Sequence, residues 1–223
     1  MMAPDPQNPN KKELIVSYLT LRRAIGILGL LLPFMLFFYS CFKGQGVQIS
    51  ISHYYFTEMR NEFVVIISVL SLFLFCYEGY DRDKYYTRAA GIFGIIVAFV
   101  HTNFKCCLCM KPEINLREII HLGSAALFLG LLAYISLRLF TETTPANKAA
   151  GILPPRKKAR NRVYKFCAYL IFLCLLLMIL YFAIESLRLK FCEYKPVFWL
   201  ESVSVLAFGL SWLVKGETLW RDR

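Results

Sequence analysis

The chain has 223 residues, 57% of them apolar, a mean hydropathy of +0.50 and a formal net charge of +11. That much apolar side chain in a chain this short excludes an ordinary water-soluble domain and points to an integral membrane protein. The positive charge lies in short segments between apolar runs, which is how membrane topology is written, so no nucleic-acid partner is expected.

Six runs approach the roughly 20 apolar residues needed to cross about 30 Å of hydrocarbon. They cover about 24–42, 63–80, 89–102, 119–140, 163–184 and 197–214. The first is long for a signal h-region, and Gly44-Gln45-Gly46 after it is a poor cleavage site, so it reads as a retained span. The third, "AAGIFGIIVAFVHT", has 14 residues. Either Tyr85 and Tyr86 extend it at the interface or it is a buried or re-entrant helix. The expected fold class is therefore all-α: one polytopic transmembrane helical bundle of six spans occupying 1–223.

Lys and Arg set the orientation. Eighteen fall in the N-terminal segment, the second-to-third loop, the fourth-to-fifth connection with its flanks and the C-terminal tail, against eight on the other side. The bias places both termini in the cytoplasm. The connection 141–162, "TETTPANKAAGILPPRKKARNR", has three prolines and a basic cluster. It reads as a flexible basic cytoplasmic linker suited to an anionic lipid surface. On the same side, "YEGYDRDKYY" at 77–86 reads as a tight solvated turn.

The chain has eight cysteines. Cys41, Cys106, Cys107, Cys109 and Cys192 fall on or near the outer, oxidising side and are disulfide candidates. Their odd number leaves one unpaired or paired between chains. Cys76, Cys167 and Cys174 lie within spans and read as small apolar residues. "CCLC" lacks the second ligand cluster that zinc needs.

The three histidines all reach one face by topology: His53 in the first outer loop, His101 ending the third span, His121 opening the fourth. Gly91, Gly94, Ala98 and His101 share a helix face. Small residues there permit close packing, within the chain or between copies in a homo-oligomer. Glu201 shares a face of the sixth span with Ser204, Phe208 and Ser211, and an acid inside a span normally faces the bundle interior or a water-filled cavity. Arg60 is placed to pair with Glu201 or Glu58. The candidate outer site is thus His53, Tyr54, Tyr55, Glu58, Arg60, His101, His121, Ser124 and Glu201.

Four readings compete, the first three of them for that site. The structural one is interfacial histidines and tyrosines with a bundle-locking ion pair. The leading functional one is non-enzymatic: a lipid headgroup or a partner bound at the outer face, since arginine suits phosphate or carboxylate. The next is an outward-facing hydrolase or transferase with His53, His101 and His121 as metal ligands and an acid as base. Only that reading brings in a cofactor, a divalent metal. The last is a small channel or transporter, against which stand the few intramembrane charges and the lack of an inverted repeat. No phosphate-binding loop, metalloprotease or nucleophile-elbow motif occurs. Membrane lipids are the expected partners.

Four stretches, "SYLTLRRAIGILGLLLP" (17–33), "SISHYYFTEMRNEFV" (50–64), "FLFCYEGYDRD" (73–83) and "FGLSWLVKGET" (208–218), together resemble a group of uncharacterised bacterial six-span integral membrane proteins. The plan is similar to the wider Frag/DRAM-like group. The resemblance implies a Ser-x-Tyr-Tyr loop followed by an arginine (here Ser52, Tyr54, Tyr55, Arg60) and a Tyr-x-Gly-Tyr-Asp turn (Tyr77, Gly79, Tyr80, Asp81). It implies a bacterial cytoplasmic membrane and the six-span topology, and it transfers no activity.

Overall fold

The computed structural model describes residues 9–77, 83–102, 115–142 and 154–218, with side chains from residue 18 onward. Helix α1 runs Pro9–Lys43, followed by a 3₁₀ turn, Ile51–Phe56. Then come α2 (Arg60–Cys76), α3 (Asp83–Phe99) and α4 (Leu116–Tyr134), which widens into a π turn, Ile135–Leu139. Helix α5 is Pro155–Ala183, α6 is Glu185–Phe191, and a 3₁₀ turn, Cys192–Tyr194, leads into α7, Pro196–Lys215. No strand occurs among the described residues.

Among the described residues each of the six apolar runs is mainly helix and none is strand, so the all-α expectation holds. Four stretches are long and apolar enough to cross a membrane: Tyr18–Lys43, Leu116–Leu139, Pro155–Ala183 and Pro196–Lys215. Helices α2 and α3 have 17 residues each. At 1.5 Å per residue they rise about 25 Å, short of a 30 Å hydrocarbon layer.

Two boundaries differ from the sequence reading. The third helix starts at Asp83, six residues before the apolar run, because Thr87 continues it inward: its buried hydroxyl bonds the carbonyls of Asp83 (3.0 Å) and Tyr77 (3.2 Å). The second half of the expected linker is helix. Pro154 and Pro155 suit a helix start, since proline at the first position loses no hydrogen bond, and α5 begins there with Arg160 already buried. Residues 78–82 and 143–153 lie outside the described part.

The helices form a closed ring. Helix α1 packs on α2, α2 on α3, α3 on α4, α4 on α5, α5 on α7, and α7 back on α1. Small residues set the two tightest seams. A Cβ on Gly209 of α7 would stand 2.8 Å from the Gly26 carbonyl oxygen, and one on Gly26 would stand 2.8 Å from the Leu213 nitrogen, so α1 and α7 meet backbone to backbone. On the other seam, a Cβ on Gly91 would lie 2.6 Å from the Ser71 carbonyl and one on Gly94 would lie 2.2 Å from the Ser71 hydroxyl. The Gly91–Gly94–Ala98 ridge therefore packs inside this chain, against α2.

An aromatic block closes the end of the bundle near the termini. Tyr18 stacks on Tyr77 at 5.2 Å, Arg22 lies over both rings and donates to the Tyr77 hydroxyl, and Trp212 meets Tyr77 and Phe140 edge-on. The opposite end carries the 3₁₀ turn Ile51–Phe56 and is called the cap end below.

The seam makes a sharp prediction. Gly91→Val should lower the thermal midpoint of the detergent-solubilised protein, by the ~1–3 kcal/mol that overpacking costs or more, because the clash is with backbone. Gly123→Ala, where a Cβ meets nothing within 4 Å, should leave it unchanged or slightly higher.

Candidate functional site: a cavity beneath the cap

The cap is built by its own sequence. Ser50 opens the 3₁₀ turn, its hydroxyl accepting from the His53 backbone N–H (3.2 Å) and lying 2.7 Å from His53 Nδ1. Thr57 closes it, with its backbone N–H on the Tyr54 carbonyl. The start of α7 holds the turn in place. The Phe198 N–H donates to the Ile49 carbonyl (3.0 Å), Lys195 Nζ donates to the Val47 carbonyl, and the Ile51 N–H donates to Glu201 Oε2 (2.6 Å). Glu201 thus supplies an acceptor that the first turn of a helix otherwise lacks.

Beneath the cap lies a cavity of about 430 Å³ between α4, α5, α6 and α7. Its wall on α4 reaches from Glu118 to Leu129, about 16 Å along the helix. The deep part is apolar: Leu122, Ala126 and Leu129 face Leu175, Met178 and Ile179. The part under the cap is polar, with Ser50, His53, Thr102, Glu118, His121, Arg188 and Glu201. Leu122, Ala126 and Ile179 line the cavity and are also exposed on the bundle surface, so it opens sideways between α4 and α5.

The polar end is mostly wired. Asn115 caps α4, its side-chain oxygen accepting from the Glu118 N–H at 2.9 Å. The Glu118 side chain, 5% exposed, takes the Thr102 hydroxyl on both oxygens, at 2.8 and 3.0 Å. His121 is 3% exposed, and its Nδ1 lies 2.5 Å from the Val100 carbonyl. A carbonyl only accepts, so Nδ1 carries the proton and Nε2 keeps a lone pair in the neutral ring. Arg188 is 5% exposed. Its Nη1 donates to the Phe182 carbonyl at 3.3 Å, its Nη2 stands 3.8 Å from the exposed Glu185 carboxylate, and its buried Nε has no partner among the described residues.

The predicted constellation divides into three. His53, His121 and Glu201 line the cavity. Tyr55, Arg60 and His101 form a separate stack toward the surface: the Tyr55 and His101 rings lie 4.8 Å apart, with the Arg60 guanidinium 4.2 Å from the Tyr55 ring. Glu58 pairs with Lys43 at 2.6 Å and with the Tyr39 hydroxyl. The Arg60–Glu201 pair does not form, because the aromatic ring holds Arg60 and the cap backbone holds Glu201. Tyr54 is core, its hydroxyl on Ser40 and its ring against Phe198, and burial pushes that hydroxyl's pKa up. Ser124 is buried outside the cavity lining.

The three histidines do not gather at one point. Among the described residues no three His, Cys, Asp or Glu side chains gather to hold a metal. The physical reason is that His101 is spent elsewhere. Its Nδ1 is 3.0 Å from the Thr102 carbonyl, and its Nε2 faces the Arg117 guanidinium at 3.1 Å, where a ligand would need an open lone pair. Of the cysteine candidates, Cys41 is a free, exposed thiol and Cys192 is disulfide-bonded. Cys106, Cys107 and Cys109 lie outside the described residues.

Ser50, Thr102, Glu118 and Arg188, at the polar end of the cavity, escaped the sequence reading. Glu118 has a legible signal, Asn115 three residues before it, which is a helix start. Ser50 has one too, as the hydroxyl that opens the turn before His53. Thr102 and Arg188 have none; only the fold brings them to the acid and the cavity. Scans against family models, curated proteins and solved structures find no match to this chain.

Two outcomes check the wiring. Thr102→Val keeps the shape and removes the donor to Glu118, and should cost ~1–3 kcal/mol of stability by thermal or denaturant unfolding, with Thr102→Ser near wild type. Glu58 is held below the usual carboxylate range by the Lys43 hydrogen bond and charge and by Tyr39. A lowered folded-state value means the pair stabilises above the ordinary carboxylate range and is lost as pH falls through the lowered value. The melting difference between wild type and Glu58→Gln should therefore shrink on acidification, and shrink with added salt at pH 7.

Proposed function

We propose that the chain is a six-span protein of a bacterial cytoplasmic membrane, both termini inside, that binds a lipid-like amphiphile in the cavity beneath its outer cap without acting on it chemically. The observation that carries this is the cavity's build. It is apolar in depth and polar under the cap, and it opens sideways through Leu122, Ala126 and Ile179. Residues that are exposed and apolar on such a bundle face acyl chains, so the opening leads to lipid. The volume falls within the ~300–1,000 Å³ of small-molecule sites.

The six-span topology is supported by the ring. Helices α2 and α3 sit between spans long enough to cross, at the short end of the ~17–25 residues a span uses. The Lys and Arg bias puts the cap end outside. The channel reading loses support: Tyr77, Trp212 and Phe140 fill the other end with packed rings.

Two measurements test the proposal. Cys41 and Cys76 are free, exposed thiols at opposite ends of the bundle. A membrane-impermeant maleimide applied to intact spheroplasts should label Cys41 and spare Cys76, with Cys41→Ser and Cys76→Ser assigning the bands; the reverse pattern would invert the topology. Native mass spectrometry should show bound single-chain lipid on wild type and far less on Ala126→Trp, whose indole plugs the side opening. Equal loading on both would end the cavity reading.

A further inference from the structure

We infer that the cavity selects an amphiphile with a zwitterionic head, an acidic oxygen seated on Arg188 and an ammonium donating to the carboxyl group of Glu201 and the ring of His121, with one acyl chain in the apolar slot. This rests on the amphiphile reading above and adds the head chemistry.

The argument starts from Arg188. A guanidinium taken out of water needs a compensating anion and hydrogen-bond acceptors, or its burial is strongly unfavourable. Arg188 is 5% exposed, yet its protein partners are one carbonyl at 3.3 Å and a carboxylate at 3.8 Å that is itself 77% exposed. Its buried Nε–H has no acceptor among the described residues. The planar fork of Nε and Nη matches two oxygens of a phosphate or carboxylate. An acidic oxygen of a ligand head would complete this site.

An anion alone does not satisfy the rest. The same polar end carries Glu118 and Glu201 against that one guanidinium. Glu118 is engaged by Thr102, whereas Glu201 spends Oε2 on the Ile51 N–H and Oε1 accepts nothing among the described residues. His121 presents Nε2 as a second open acceptor, since Nδ1 is committed to the Val100 carbonyl. Two open acceptors beside one open cationic donor call for a head that brings both signs: an acidic oxygen and an N–H-bearing ammonium. Phosphoethanolamine has this chemistry, as does an aminoacylated phospholipid head. A quaternary ammonium lacks the N–H donors, and a plain phosphate or fatty acid lacks the cation.

The slot accounts for the chain. About 16 Å of α4 lines it, bordered by Leu122, Leu129, Leu175 and Met178. That is the reach of an extended acyl chain, and the opening between α4 and α5 leaves any second chain in the bilayer.

Displacement of a fluorescent lysolipid from the purified full-length protein in detergent tests this. The competitors are lysophosphatidylethanolamine, lysophosphatidylcholine, lysophosphatidylglycerol and dodecylamine. The expected result is that lysophosphatidylethanolamine competes at least about tenfold better than the other three, ~1.4 kcal/mol. Arg188→Gln should remove its advantage over dodecylamine, with Arg188→Lys in between, and Glu201→Gln should remove its advantage over lysophosphatidylglycerol. An aminoacylated phosphatidylglycerol added as a fifth competitor separates the two sources of the head. If all four compete equally, or if Arg188→Gln weakens every one of them alike, the zwitterion inference is overturned. If Ala126→Trp binds the fluorescent lysolipid as wild type does, the cavity reading fails with it. Chain binding lost in Ala126→Trp without any head preference in wild type sinks only the head assignment.

Discussion

The hydrogen bond from the Ile51 N–H to Glu201 Oε2 joins the two parts of the molecule that matter most. It ties the first turn of the cap to a carboxyl group one and a half turns into α7. Without it, an acid would stand inside a span with no backbone donor, and the 3₁₀ turn would start with an unanswered N–H. Because Phe198 and Lys195 hold the residues just before the turn, the cap is fastened along its whole entry to one helix. The cavity exists because that lid is fixed while the space below, between α4 and α5, stays unfilled.

The rest of the bundle is arranged so that α7 can serve as this anchor. It is the most enclosed of the long helices, with 61% of its apolar window buried against 33–44% for the other three. Gly26 and Gly209 bring α1 onto it at backbone contact, and α5 packs on its other side. At the far end Trp212 wedges between Tyr77 and Phe140. The helix is gripped at both ends by different means, a hydrogen-bonded cap and an aromatic block. The packing energy in the middle comes from dispersion at close-approach seams, since lipid tails offer no hydrophobic drive between helices.

Much of this was legible in the chain. Apolar run length located every long helix, and four of them are long and apolar enough to cross hydrocarbon. The depth of Glu201, the placing of His53 and His121 on one face, and the small-residue ridge at Gly91 followed from topology and helical period. What the chain did not disclose were partners chosen by packing. Arg60 has a carboxylate within sequence reach at Glu58, yet an aromatic face at Tyr55 takes it, and Lys43 takes the acid. His101 looked like the third ligand and is instead occupied on both nitrogens. Arg188 sat in what read as an outer connection, and nothing in its spacing shows that α6 turns its guanidinium under the cap.

The position of α6 explains why a polar end and an apolar slot coexist. Helix α5 stops at Ala183, and Ile184 is extended before α6 begins. A continuous helix would have carried Arg188 onward past the cap. In the seven residues after the break Leu189 and Phe191 are exposed while Arg188 is buried and lines the cavity. Tyr181, Phe182 and Ala183 before the break and Arg188 after it all line the cavity that Glu201 and His121 share. The helix break at Ile184 thus sets Arg188 among the polar groups that the cap, Thr102 and Val100 hold in place.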